Sequence, residues 1–262
     1  MPFTLAHPAA VLPLKAKFAK YFDLTGLVLG SMAPDFEYFI RFRPEAVIGH
    51  KIIGFLLLNL PLCFVIAFLV HKIIKKPFIM SMPSPIDRWY SYMAHKDWRL
   101  RGFKGVIVFI YSSLLGMITH VLWDAFTHEN GRFVSLFLIL SVKVHIWGYS
   151  FPIYKILQHG STLLGVTVIC LFLLGLRDEK AVPANIKPCL KVLYFLSILL
   201  CSVAFILIGL LLSSFDLSFK SSGVAVVVFI NGIFSGCLLV SVLYNRVKGV
   251  DGNGQCHKKS RS

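Results

Sequence analysis

Five apolar runs divide the sequence and leave few folds open to it. Each has 19 to 24 residues, and they cover Ile52–Val70, Gly105–His128, Ile153–Leu176, Leu190–Leu212 and Gly223–Tyr244. An α-helix rises about 1.5 Å per residue, so runs of this length cross a hydrocarbon layer of about 30 Å. Inside lipid, a helix satisfies every backbone polar group within its own segment. The sequence therefore predicts an all-α, polytopic membrane helix bundle with about five transmembrane helices.

The composition supports the same class of protein. Hydrophobic residues make up 56% of the chain and charged residues 15%, whereas soluble domains have about 45–50% and about 25%. The net charge of +15 does not indicate nucleic-acid binding, because most Lys and Arg side chains lie in loops beside the apolar runs. There they set orientation and contact anionic headgroups. We therefore expect membrane lipid, and not nucleic acid, as the partner.

The regions outside the spans give the chain its expected organisation. Residues 1–51 contain no span, and apolar pieces at 8–19 and 24–33 predict two amphipathic or re-entrant helices, the second ending at Pro34. Residues 52–176 form the predicted core bundle and residues 177–244 add two transmembrane helices. The basic tail, residues 245–262, is predicted to be disordered. The stretch Phe133–Trp147 is too short for a span and is interpreted as an interfacial or re-entrant segment.

The N-terminal segment is expected to fold back onto the bundle. Folding back against the outer ends of the first three spans would bury its apolar side chains, namely Phe3, Leu5, Leu12 and Leu14.

Of the 27 Lys and Arg residues, 17 fall on the side that holds the loop 71–104 and the C-terminal tail, and 10 on the other. The positive-inside tendency places the first side in the cytoplasm. The N-terminal segment then lies on the extracytoplasmic face.

A polar triad closes the second apolar run. His120, Asp124 and His128 are spaced i, i+4, i+8, so all three lie on one side of a helix. Imidazole and carboxylate groups are ligands of divalent cations such as zinc. Ionisable groups at the end of a membrane helix are costly and indicate a functional site. The alternative interpretation is that these side chains lie at the membrane surface and hydrogen-bond to water or headgroups.

Other polar residues map to the same face of the predicted bundle. His7 and Asp35 lie in the N-terminal segment, and His50 directly precedes the first span. Each has an ordinary alternative: His7 could be a surface histidine, Asp35 could cap the following helix, and His50 could lie at the interface. Glu37 is interpreted as a solvated neighbour. A metal site needs several ligands from separate segments, so their convergence counts for more than each residue alone.

Several stretches carry a resemblance to a known family. They are the opening Met1-Pro-Phe-Thr-Leu-Ala-His7, then Gly30-Ser-Met-Ala-Pro34-Asp35, Gly49-His50, and Thr119-His120-Val-Leu-Trp-Asp124-Ala-Phe-Thr-His128. Over most of the chain the sequence resembles an uncharacterised family of small bacterial membrane proteins (DUF4184-like). More remotely, the order of these residues is similar to membrane-bound metal-dependent hydrolases and to zinc-dependent phospholipase C. The resemblance implies a location in the bacterial cytoplasmic (inner) membrane and a metal site made from His7, Asp35, His50, His120 and Asp124, with His128 as a further ligand.

Two functions compete at this point. The first is a metal-dependent hydrolase that acts on a lipid or phosphoester at the extracytoplasmic side. Its divalent cation is expected to be zinc, because His and Asp are zinc ligands. Asp124 or Asp35 would be its catalytic carboxylate. The second is a non-enzymatic permease or assembly factor in which the polar residues form an ion or proton relay. Because His128 lies about 12 Å from His120 along a straight helix, we expect His128 not to share an ion with His120.

Overall fold

The chain is almost entirely helical in its computed structural model, which describes residues 3–98, 100, 102–146, 148–181, 186–211 and 222–259. A 3-10 turn, Thr4–Ala10, precedes the first helix. The helices in chain order are α1 Leu12–Lys17, α2 Leu24–Met32, α3 Phe36–Arg41, α4 Ile52–Ser81, α5 Ile86–His95, α6 Gly102–Thr127, α7 Arg132–Leu136, α8 Ile153–Gly175, α9 Pro188–Leu211 and α10 Ser222–Lys259. The fold class predicted from the sequence is therefore confirmed.

Five helices in the described part of the chain are long and apolar enough to cross a membrane. They are Ile52–Ser81, Gly102–Leu136, Ile153–Gly175, Pro188–Ile208 and Gly223–Arg246. Their number agrees with the five apolar runs, but several ends differ. Helix α4 continues to Ser81, and α10 continues to Lys259 where the sequence predicted a disordered tail from Asn245. Hydropathy marks only where apolar residues stop, whereas an existing helix adds further residues without a new nucleation cost.

A β-hairpin connects the second and third spans. Strands β1 (Lys143–Ile146) and β2 (Tyr149–Pro152) pair antiparallel with Val144 opposite Phe151, and Gly148 takes a positive φ of 81° in the turn. The sequence predicted an interfacial or re-entrant segment at 133–147 and did not predict this hairpin. Trp147, the last residue of that predicted segment, lies outside the described residues. The histidine of β1, His145, is exposed.

The chain forms two compact units, and the first contains residues 1–37, 45–67 and 99–176. Its centre is the packing of α2 along α6, where small residues bring the two backbones together. A Cβ atom added to Gly30 would lie 2.1 Å from the Ser113 carbonyl oxygen, and one added to Gly116 would lie 2.5 Å from the Ser31 nitrogen. Helices in membranes associate through such small-residue faces. Helix α2 therefore packs beside the middle turns of the membrane-spanning helix α6.

The N-terminal segment folds back as predicted, but with a different set of buried side chains. Its 3-10 turn packs against α8 and α2. Leu12 is buried and Leu14 is half-buried, whereas Phe3 is 41% exposed and Leu5 48% exposed. The prediction for Phe3 and Leu5 was wrong, because an apolar side chain on a membrane protein needs no protein partner when lipid can solvate it.

The second unit contains residues 38–44, 68–98 and 177–262. Polar contacts join its two long helices: the Ser202 hydroxyl donates to the Gly232 carbonyl at 2.9 Å, and the Tyr194 and Ser241 hydroxyls lie 2.7 Å apart. Asp87 of α5 forms an ion pair with Lys191 of α9. Such bonds within an apolar helix pair satisfy groups that lipid cannot.

Candidate metal centre

Five side chains from separate parts of the first unit meet at the end of α6. We call them the His/Asp cluster, and they are His7, Asp35, His50, His120 and Asp124. His7 comes from the 3-10 turn before α1, Asp35 from the turn between α2 and α3, and His50 from the loop before α4. His120 and Asp124 occupy consecutive turns of α6. The structure thus brings five of the six residues predicted for the site into groups that could hold an ion, and His128 into neither.

The spacing of the cluster atoms suits ligands around an ion better than it suits direct hydrogen bonds. The His120 Nε2 atom lies 3.2 Å from Asp124 Oδ2 and 3.5 Å from Asp35 Oδ1. The His7 Nε2 atom lies 3.6 Å from Asp124 Oδ1, and His50 Nε2 lies 3.6 Å from Asp35 Oδ1. Most of these distances exceed those of protein hydrogen bonds. Two ligands at zinc–ligand distances in a tetrahedron are about 3.3 Å apart.

Four buried polar atoms of the cluster have no hydrogen-bond partner among the residues that the structure describes. They are His7 Nε2, Asp35 Oδ1, His120 Nε2 and Asp124 Oδ1. Buried polar atoms in folded proteins are nearly always satisfied, so four orphans directed at one another need an explanation. The two carboxylates also carry two negative charges that a divalent cation would neutralise. The donor set of imidazole nitrogens and carboxylate oxygens therefore fits a divalent cation such as zinc.

Neighbouring groups hold the cluster side chains with these atoms facing inward. The Nδ1 atom of His120 lies 2.7 Å from the Ser31 carbonyl oxygen, so Nδ1 carries the proton and Nε2 keeps a lone pair for the cluster. The Thr4 hydroxyl donates to Asp35 Oδ2 at 2.6 Å and leaves Oδ1 available. Such outer partners orient metal ligands in known sites. Neither Thr4 nor the Ser31 carbonyl could be identified from the sequence, because both act through a fold that brings distant residues together.

Burial also prepares His7 for binding. Desolvation by burial lowers the pKa of His7 to about 4. The ring therefore stays neutral at physiological pH, and a neutral imidazole is the form that binds a metal. His50 is the accessible member, with its side chain 28% exposed. The cluster thus opens to its surroundings past His50.

Two buried polar residues shape the loop that carries His50. The Glu37 carboxylate oxygen Oε2 accepts hydrogen bonds from the backbone N–H groups of Val47, Ile48 and Gly49 at 3.0, 3.0 and 2.7 Å. The Asn59 amide, in a π-helical turn of α4, donates to the Gly49 carbonyl at 2.7 Å. The prediction that Glu37 is a solvated neighbour was wrong, since its charge is compensated by three backbone donors.

We expect Glu37→Ala to weaken metal binding about 10- to 100-fold, because outer partners of metal ligands contribute effects of this size. Without the carboxylate, three buried N–H groups lose their acceptor and the loop no longer holds His50 in place. Glu37→Gln keeps one acceptor oxygen and should show a smaller loss. Metal affinity is measured by competition with a chelator, and the exposed Glu45→Ala is the control. Equal affinities for Glu37→Ala and Glu45→Ala would contradict the assigned role.

His128, the further ligand that the resemblance implied, lies at the edge of the cluster. It directly follows the last residue of α6 and is 31% exposed, and its Nδ1 atom lies 3.5 Å from Asp124 Oδ1 and 3.1 Å from the Asp124 carbonyl oxygen. It belongs to neither of the residue groups that could hold an ion.

The fold and this cluster define a class: a polytopic α-helical membrane protein with a His/Asp group that could bind a metal. The chain belongs to the family described as a domain of unknown function, DUF4184, whose model matches residues 1–242. No curated protein and no solved structure gives a significant match. The family supports the resemblance drawn from the sequence, and the remoter likeness to hydrolases and phospholipase C stays a prediction.

Proposed function

We propose that this protein is a membrane-embedded metal-dependent hydrolase whose zinc ion is bound by the His/Asp cluster. The observation that carries the proposal is the convergence of four buried, unpartnered donor atoms. Three side chains at a time would bind the ion, either His7, His120 and Asp124 or Asp35, His50 and His120, and the fourth position of a tetrahedral zinc would be left for water. A bound divalent cation supplies Lewis-acid chemistry, polarising carbonyl or phosphoryl oxygens and making water more acidic.

The two carboxylates of the cluster differ in ways that suggest different roles. Asp35 is buried and fixed by the Thr4 hydroxyl, which suits a metal ligand that does not move. Asp124 is more accessible and lies between His7, His50 and His120. We assign Asp124 the second task of accepting the proton from the attacking water. In the hydrolysis of a phosphodiester, the water oxygen joins phosphorus, one P–O bond breaks, and the leaving oxygen takes a proton.

The location of the cluster at one end of three spans favours a substrate at the membrane surface. We propose a lipid or another phosphoester, reached from the extracytoplasmic side, as the substrate class. His50 and His128, the more exposed histidines here, lie where a headgroup enters. We propose the bacterial inner membrane as its location.

The test uses the full-length protein purified in a mild detergent. We expect about one zinc ion per chain and metal-dependent hydrolysis of bis(p-nitrophenyl) phosphate that stops on chelation and returns with zinc. The matched variant is Asp124→Asn, which keeps the shape of the side chain and should abolish turnover. Absence of bound metal would contradict the proposal.

A second candidate function is a non-enzymatic membrane protein, either a permease or an assembly factor, with a polar relay. It is favoured by the buried Asp87–Lys191 ion pair in the second unit, since paired charges in membranes also occur in transport pathways. A wild-type protein that binds zinc stoichiometrically but hydrolyses the substrate no faster than Asp124→Asn would favour this function over the hydrolase.

A further inference from the structure

An apolar cavity of about 180 Å³ lies beside the His/Asp cluster in the first unit. Its walls come from the 3-10 turn, from Trp123 of α6 and from α8, and its main lining residues are Ala9, Ala10, Trp123, Leu164, Gly165 and Val168. His7 lines it as well, so one imidazole ring borders both the cavity and the cluster. No described Lys, Arg, Asp or Glu residue lines it.

The cavity is narrow and runs along a membrane-spanning helix. The 3-10 turn contributes alanines, and its backbone passes close to Gly165, where an added Cβ would lie 2.8 Å from the Ala6 carbonyl oxygen. Along α8 the lining extends from Ser161 to Val168, which is about 10 Å of helix. The Trp123 indole donates to the Ser161 hydroxyl at 3.2 Å and marks the polar end, next to Asp124 in the sequence.

We propose that this cavity binds an acyl chain of a membrane phospholipid. The helix α8 crosses the bilayer and presents exposed leucines beside the cavity, among them Leu163 and Leu164, so a lipid chain is the apolar group that surrounds it. A peptide or sugar would leave polar groups unsatisfied against these walls. The orientation of the lipid, with its ester end at His7, rests on the proposed hydrolase function. The binding of an acyl chain in the cavity does not rest on that function.

The experiment measures lipid binding directly, so it does not depend on catalysis. Full-length protein is purified in a steroid-based detergent, which has no alkyl tail, and titrated with phosphatidylglycerol that carries a dibrominated acyl chain. Bromine quenches a nearby indole, so we expect saturable quenching of tryptophan fluorescence that is absent in Trp123→Phe. Native mass spectrometry of the same samples should show one bound lipid per chain.

The deciding variant is Val168→Phe, which fills part of the cavity from a lining residue outside the His/Asp cluster. We expect it to weaken lipid binding at least tenfold, because each buried methylene contributes about fourfold, and to keep its zinc. Val166→Phe, at an exposed position two residues away, is the matched control and should bind as the wild type does. Equal lipid binding by the two variants, or quenching that never saturates, would overturn the proposal. Loss of catalysis with intact lipid binding would instead contradict the hydrolase function alone.

Discussion

Replacing His120 with alanine should remove the metal from the protein. His120 is fully buried, its Nε2 atom lies within 3.5 Å of both cluster carboxylates, and it belongs to both groups that could hold an ion. We expect the affinity for zinc to fall by more than about 100-fold, beyond the range for outer partners of metal ligands. Asp124→Asn should behave alike while preserving the shape of the side chain. Metal content per chain is measured for variants purified side by side.

His128→Ala is the matched control for this experiment. His128 directly follows the last residue of α6, and its Nδ1 atom contacts the Asp124 backbone carbonyl at 3.1 Å, but it belongs to neither group that could hold an ion. The variant should keep its zinc and the thermal stabilisation that zinc gives, which is about 2.7 kcal/mol when free zinc is 100 times the dissociation constant. If His128→Ala loses metal as completely as His120→Ala, the ion is bound by a different set of residues.

Gly30→Ala should both destabilise the first unit and weaken its metal site. The new Cβ would lie 2.1 Å from the Ser113 carbonyl oxygen, which is backbone and cannot rotate away. Helices α2 and α6 must then separate, and overpacking of this kind costs about 1–3 kcal/mol. The separation also moves the Ser31 carbonyl away from His120 Nδ1. Thermal unfolding in detergent and metal affinity should both fall.

Gly160→Ala is the control for the effect of the methyl group itself. Gly160 lies in α8, and an added Cβ there would meet no atom within 4 Å. Replacing a helical glycine by alanine in open space stabilises a helix by about 1 kcal/mol. The two variants should therefore shift the melting temperature in opposite directions. A Gly30→Ala protein as stable as the wild type would show that α2 does not pack against α6 in this way.

The spans and most of the cluster could be predicted from the sequence, because run length and helical spacing can be read from short stretches of it. Apolar runs of sufficient length have one solution in lipid. The i, i+4 spacing of His120 and Asp124 needs only helical geometry, and laying the other polar residues onto five spans brought His7, Asp35 and His50 to the same face. The structure places these residues together, with His7 Nε2 3.6 Å from Asp124 Oδ1.

The sequence could not predict contacts that depend on the path of the loops. Glu37 resembles a solvated acid in a short polar stretch, and only the return of residues 47–49 over it supplies three N–H donors. Asn59 is a single polar residue in an apolar run, and its partner is a backbone carbonyl. The cavity beside His7 likewise depends on the distance between two backbones, which hydropathy does not report.

The close packing of α2 on α6 imposes an order on biogenesis. The segment with His7 and Asp35 leaves the ribosome before α6 has been synthesised. Until then α2 lies in the membrane or at its surface with its glycine face uncovered. Only after α6 has inserted can the two helices dock, as in the assembly of membrane helices that are first inserted and then packed. Under the proposed function, zinc would bind only after this docking step, and zinc acquisition would report that the first unit has closed.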